Sequence, residues 1–301
     1  MQSQMNESAK PLREISTTGF RPEEYSFLVP IRASGTRPPL FCVFPGPPGG
    51  REFVDMLPED QPIYDLYISK LSSEAIFPTV EQLAASFIDD ARKVSAHGPY
   101  QLCGYSNAGL IAYEMARLLV SQGEDVSFLA LFDAWHPEFV RNLPFPELAR
   151  YRFMRFVDRL KKYAQILHQG QFDEFAAGMW QFVDKRAKLI AWRIGAFFFR
   201  APDRPVSKGM KVVESVLSLQ AYSPRPYPRP FMLIRPDDPV DNKLNDETVG
   251  WHVCATAGVD VHFVPARHGH MMDRPYVRTV LDKIVPHLAA SQHLSQGRNK
   301  G

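Results

Sequence analysis

Short apolar runs recur along this chain, each followed by a stretch of helical periodicity, and that alternation limits the fold more than any other feature. The runs lie at residues 39–44, 63–68, 100–103, 126–132, 231–234 and 259–264. The run at 63–68 alternates, and runs of this length bounded by turn residues suit buried strands of a mostly parallel sheet. Between them, Thr79 and Gln82 form a capping-box signature ahead of a stripe of Leu83, Phe87, Ala91 and Val94. A second helix is predicted over 110–120, stopped by Gly123. Strand, helix, strand, helix predicts a doubly wound α/β architecture with helices on both faces of the sheet. No internal repeat interrupts it.

Composition removes several classes of protein. A 45% hydrophobic share with 23% charged residues supports a packed core and excludes disorder of the whole chain. The net charge of +2 gives no global attraction to nucleic acid or to an anionic membrane. Cys42, Cys103 and Cys254 are far apart, sit in apolar stretches and form no C-x-x-C. They read as buried hydrophobes rather than disulfides or zinc ligands, which fits a reducing cytoplasm. No secretory signal is visible at the N-terminus, and runs such as 194–199 fall far short of the ~20 residues of a membrane span.

Residues 1–25 and 291–301 read as a flexible leader and tail around one domain at 26–290. One stretch breaks the alternation. From about 146 to 199 the pattern is helical throughout, so a helical lid is predicted over about 140–210, inserted between two strands. Residues 141–200 hold twelve Lys/Arg against five Asp/Glu. That excess suggests a docking surface for an acidic partner, an attraction that salt would weaken.

The strongest chemical signal is Gly104-Tyr105-Ser106-Asn107-Ala108-Gly109, placed between a strand and a helix. There a nucleophile elbow has mechanical meaning: a strained turn lifts the serine hydroxyl above the sheet edge, and small residues two before and two after it let the backbones pass. Gly104 and Ala108 fill those positions. A serine hydroxyl needs a base and the base needs an orienting acid. Asp133 ends the run at 126–132, at the carboxyl edge where open α/β sheets place their sites. His268 and His270 follow the last run, and the order Ser, Asp, His is the one an α/β hydrolase requires.

With these motifs in hand, residues 26–287 resemble the thioesterase domains that end nonribosomal peptide and polyketide synthases, a branch of the α/β hydrolases. LVPIRASGTRPPLFCVFPGPPGG is similar to that family's opening strand and oxyanion loop, GYSNAG to its elbow and LFDAWHP to its post-strand acid. YSPRPYPRPFMLIRP and VGWHVCATAGVDVHFVPARHGHMMDRP resemble its closing strands and histidine loop. The resemblance implies the α/β-hydrolase fold and favours Asp133 as acid over Asp237, Asp238 and Asp241, which follow the next-to-last strand. It favours His268 over His270 as base.

The first loop departs from the family's His-Pro-Ala-Gly-Gly and reads Phe44-Pro45-Gly46-Pro47-Pro48-Gly49-Gly50. Pro47 and Pro48 lack an N–H, so Gly46 and Asn107 are the expected oxyanion donors. The implied substrate is an acyl, polyketide or peptidyl thioester on the phosphopantetheine arm of a carrier protein. Release would follow an acyl-serine intermediate, by hydrolysis or cyclisation. Aromatic lid residues, among them Phe153, Trp180, Phe197, Phe198 and Phe199, would line the acyl channel. No metal-ligand spacing, dinucleotide fingerprint or P-loop occurs, so no cofactor is expected. The alternatives are a carboxylesterase for small esters and a non-catalytic binding protein on the same fold.

Overall fold

The computed structural model describes residues 27–45, 51–67, 78–168 and 222–298. Seven strands form one sheet: β1 (Leu28–Arg32), β2 (Leu40–Val43), β3 (Ile63–Leu66), β4 (Tyr100–Tyr105), β5 (Val126–Phe132), β6 (Phe231–Pro236) and β7 (Val259–Val264). Their spatial order is β1-β3-β2-β4-β5-β6-β7. Only β1 runs antiparallel, against β3; the other neighbours are parallel. All six predicted runs are strands. β1 lies outside them because it carries Pro30 and is only partly buried, a composition tolerated at a sheet edge where a missing N–H costs no ladder bond.

The apolar character of the runs has the expected cause. Phe41 and Val43 of β2, Leu129 and Leu131 of β5, and Leu233 of β6 join a core with α2 (Val80–Arg92) and α3 (Gly109–Ser121). The alternate residues Leu40, Cys42, Phe128, Ala130, Phe132 and Ile234 join a second core, with α1 (Arg51–Met56) and the closing helix α5 (Tyr276–Arg298). Period-two alternation thus feeds two apolar layers instead of one. Cys42 and Cys103, paired across β2 and β4, lie in the second layer; all three cysteines are buried and free.

Local signals fix the helix that closes the first layer. Thr79 accepts from the Gln82 N–H at 3.2 Å while Gln82 Oε1 accepts from the Thr79 N–H at 2.9 Å, completing the predicted capping box. Near its other end Asp90 accepts from the N–H groups of Phe27 (2.6 Å) and Leu28 (3.2 Å), pinning the start of β1. The helix after β4 ends where Gly123 takes a φ of 84°. The helical insertion begins with α4 (Phe145–His168). The rest of the predicted lid, with Trp180 and Phe197 to Phe199, lies outside the described residues, as do the predicted leader and residues 299–301 of the predicted tail, whose preceding residues continue α5 to Arg298. Phe153, expected to line an acyl channel, is 66% exposed on α4.

Candidate active site

Ser106 follows β4 directly, at a φ of 55°, and a short 3-10 turn over Ser106–Ala108 runs straight into α3. A non-glycine residue in the left-handed region is costly and persists only where its surroundings impose it. The imposing contact is visible. A Cβ on Gly104 would lie 2.6 Å from Gly109 Cα, and one on Gly109 would lie 2.6 Å from Ala134 Cβ. The small residues that let the elbow close are therefore Gly104 and Gly109. The sequence reading gave that role to Gly104 and Ala108; Gly104 keeps it and Gly109 joins it, while the Ala108 methyl packs in the core. Ser106 is half-buried and Asn107 exposed. Asn107 sits at the start of a turn continuous with α3, where backbone N–H groups lack intrahelical partners and the helix dipole favours negative charge. Gly46, the other expected donor, lies outside the described residues.

Asp133 follows β5 directly, with a φ of 43°, and is 7% exposed. Its backbone N–H donates to the Ile234 carbonyl at 2.8 Å, and the next carbonyl, of Ala134, accepts from Trp251 Nε1 at 2.7 Å. With the backbone held on both sides, the carboxylate points along the sheet's carboxyl edge. His268 Nδ1 lies 2.5 Å from Asp133 Oδ2. The other oxygen, Oδ1, accepts from Trp135 Nε1 at 2.8 Å.

His268 begins the turn after β7 and is 51% exposed by side chain. Its imidazole stacks on the ring of Tyr105, the residue before the nucleophile, with centres 5.2 Å apart and planes 17° from parallel. The Tyr105 hydroxyl donates to the His268 carbonyl. Burial, reinforced by the negative charge of Asp133 and then Asp273, pushes the Tyr105 phenol well above its ordinary pKa, so it stays a neutral donor. The stack brings the Asp133-bound imidazole beside the elbow. Ser106 and His268 share no hydrogen bond among the described residues, a separation common in acyl-transfer sites without substrate.

The runners-up are occupied elsewhere. His270 Nδ1 lies 3.0 Å from Asp273 Oδ2, three residues on. Asp237 accepts from Asn242 Nδ2 at 2.5 Å. Asp238 and Asp241 hold Arg155 of α4 at 3.1 and 2.5 Å, fastening the first insertion helix to the loop after β6. Two residues that the sequence reading missed belong to the site. Tyr105 carries the imidazole on its ring. Trp135 was signalled only by an indole two positions from an acid at a strand end, where a buried N–H generally finds a partner. Away from the site, ligand atoms of Asp260 and His262 of β7 and His287 of α5 lie within 4.8 Å of one another, the one group among the described residues able to gather round a metal. Asp260 and His287 are exposed and His262 half-buried, and no residue of the Ser106 site contributes to the group.

Residues 38–176 match the family model of the thioesterase domain. The matched stretch is just under half of the chain. It includes the elbow and Asp133, whereas His268 falls beyond it. Malpinin synthetase of Mortierella alpina is 39% identical over 125 residues, 40% of this chain and 2% of the synthetase. A dimodular nonribosomal peptide synthase of Bacillus subtilis is 38% identical over 135 residues, 43% of this chain and 6% of its own length. The chain thus spans only a small part of these curated relatives. The fold of the thioesterase likeness extends further than the sequence match. The NocB thioesterase domain, solved as a covalent complex with a fluorophosphonate nocardicin G analogue, aligns over 87% of this chain and 100% of its own, with a TM-score of 0.54 and 19% identity. The type II thioesterase BorB from the borrelidin cluster aligns over 87% and 96%, with a TM-score of 0.54 and 16% identity.

Proposed function

We propose that this chain is a serine thioesterase in which Ser106 is the nucleophile, His268 the base and Asp133 the orienting acid. The observation that carries the reading is the Asp133–His268 contact of 2.5 Å, with the imidazole stacked on the residue that precedes Ser106. His268 Nε2 takes the Ser106 proton as Oγ attacks the thioester carbonyl. The tetrahedral oxyanion is held by the Asn107 N–H and by Gly46, and collapse expels the thiolate, which is protonated by the imidazolium. The acyl-serine then passes to water, giving an acid, or to a hydroxyl or amine of the acyl chain, giving a ring. Asp133 holds the tautomer that keeps Nε2 free to accept. No step requires a resident cofactor.

The family match and the synthetase relatives support an acyl or peptidyl group on the phosphopantetheine arm of a carrier protein as substrate. No described helix is long and apolar enough to cross a membrane, which fits a carrier partner met in the aqueous phase and a cytoplasmic setting. Arg150 and Arg155 of α4 belong to the basic excess that an acidic carrier would meet, but Arg155 is already engaged by Asp238 and Asp241.

A fluorophosphonate probe tests the chemistry directly. The parent should be labelled on Ser106 and should form an acyl adduct at that residue from acyl-pantetheine. Ser106→Ala should abolish both, with turnover falling by about a million-fold, the size seen when a triad serine is removed. A parent that takes no label would turn the reading to a non-catalytic binder. Efficient turnover of p-nitrophenyl esters with none of carrier-bound thioesters would turn it to a carboxylesterase.

A further inference from the structure

Asp133 can orient His268 only if its own carboxylate is held still. A carboxyl group turns about its Cβ–Cγ bond, and a single donor on one oxygen resists that rotation weakly. Here each oxygen has its own ring N–H, from His268 at 2.5 Å and from Trp135 at 2.8 Å. The two planar donors grip the carboxylate from opposite sides.

The indole is itself enclosed. Phe139 meets it edge-on at 5.8 Å and Tyr151 of α4 lies at 6.3 Å. From β6, the guanidinium carbon of Arg235 stands 6.0 Å from the Trp135 ring and 5.3 Å from that of Phe263. Arg235 is 1% exposed; its Nη1 donates to the Glu247 carbonyl at 3.0 Å, while Nε and Nη2 have no partner. A buried cation with idle donors is expensive. What offsets the cost is the negative charge of Asp133, Asp241, Asp246 and Glu247 and the ring faces on which the guanidinium rests. Arg235 is thus poorly placed to act through hydrogen bonds and well placed to brace the indole while countering the charge of the acid in front of it.

We propose that Trp135 is a positioning residue for the acid, fixing the Asp133 carboxylate through its indole N–H, with Arg235 bracing the indole ring. Neither side chain touches substrate. The inference rests on the Ser106–His268–Asp133 reading and adds to it a residue that sets the rate of the chemical step without binding the acyl group.

Trp135→Phe deletes the N–H and keeps a ring against Arg235 and Tyr151. It should lower kcat about tenfold, the order expected for a lost hydrogen bond to a charged group, with KM unchanged. The acidic limb of the kcat/KM profile should move to higher pH, because a carboxylate that has lost a donor holds the His268 imidazolium more tightly. The other charges facing the pair, Arg235 and Asp241 on the β6 side and Asp273 on the histidine loop, are untouched. In an Asp133→Asn background the same change should add little, since a role exercised through the carboxylate cannot be lost twice. If Trp135→Phe perturbs folding, benzothienylalanine at position 135, which swaps the N–H for sulfur in the same outline, makes the same measurement.

A parental kcat and pH profile would overturn the proposal, as would an equal loss in both backgrounds, which is the mark of plain packing. Failure of the parent to take the fluorophosphonate label removes the underlying reading instead, and shows itself before any Trp135 variant is made.

Discussion

Gly109→Ala tests the elbow where its tolerance is smallest. The added Cβ would lie 2.6 Å from Ala134 Cβ and 3.3 Å from the Gly104 carbonyl oxygen. Carbon atoms rest at about 3.5–4.0 Å, so the start of α3 and the segment after β5 must part by about 1 Å. Neither yields easily: Asp133 and Ala134 are held by Ile234 and Trp251, and α3 packs its whole inner face into the first core. The separation falls between Ser106, three residues before Gly109, and Asp133, next to Ala134. It pulls the nucleophile away from the acid-bound imidazole. A misplacement of about 1 Å can cost about a hundredfold in rate, and overpacking of this kind about 1–3 kcal/mol of stability. We expect a fall of that size in kcat for a soluble acyl thioester, with a thermal midpoint several degrees lower. Adding Ala134→Gly removes the atom being struck and should recover most of the rate. Parental rate and melting in Gly109→Ala, or a double variant no better than the single, would refute the contact as what closes the elbow.

Tyr105→Phe keeps the ring under His268 and removes only its hydroxyl bond to the His268 carbonyl; kcat/KM should fall about two- to tenfold, and parental kinetics would show that this bond does not hold the histidine loop. Asp241 is held at about 6, above the usual carboxylate range, chiefly by burial and in spite of Arg155. The folded state therefore binds its proton more readily than the unfolded one, so this group's destabilising contribution is full above about pH 6 and is relieved toward pH 4. Relative to Asp241→Asn, the parent should gain on the order of 2 kcal/mol across that interval in urea titrations; parallel stability curves would contradict the assignment.

The sheet was legible in the sequence because its inner strands are buried on both faces and so carry largely apolar runs, while the edge strand β7 still shows alternation through Val259, Val261 and Phe263. β1 escaped because Pro30 and partial exposure erase that signal at an edge. The nucleophile was legible for a different reason: every residue that shapes its turn lies within Gly104 to Gly109, and a local motif can be read locally. Even there, periodicity could not show that Gly109 rather than Ala108 makes the close approach, because the surface it meets belongs to Ala134, in the segment after the neighbouring strand. His268 was preferred over His270 through the family resemblance alone, and the structure adds that Asp273, three residues beyond His270, occupies that ring locally. The pairing of Asp133 with His268 spans 135 residues and depends on the order of β5, β6 and β7, which fold-family resemblance supplied and composition did not.

The stretch Asp133-Ala134-Trp135 shows why the acid's surroundings were harder to read than the acid. A strand that continued past Phe132 would send these side chains alternately to the two faces of the sheet. The left-handed conformation at Asp133 breaks that alternation. The carboxylate then faces His268, the Ala134 methyl faces Gly109, and the indole folds back onto the carboxylate it follows. One backbone angle thus places three functions in three consecutive residues. A substitution that restores extended backbone at Asp133 would disturb all of them together, even if its carboxylate were kept.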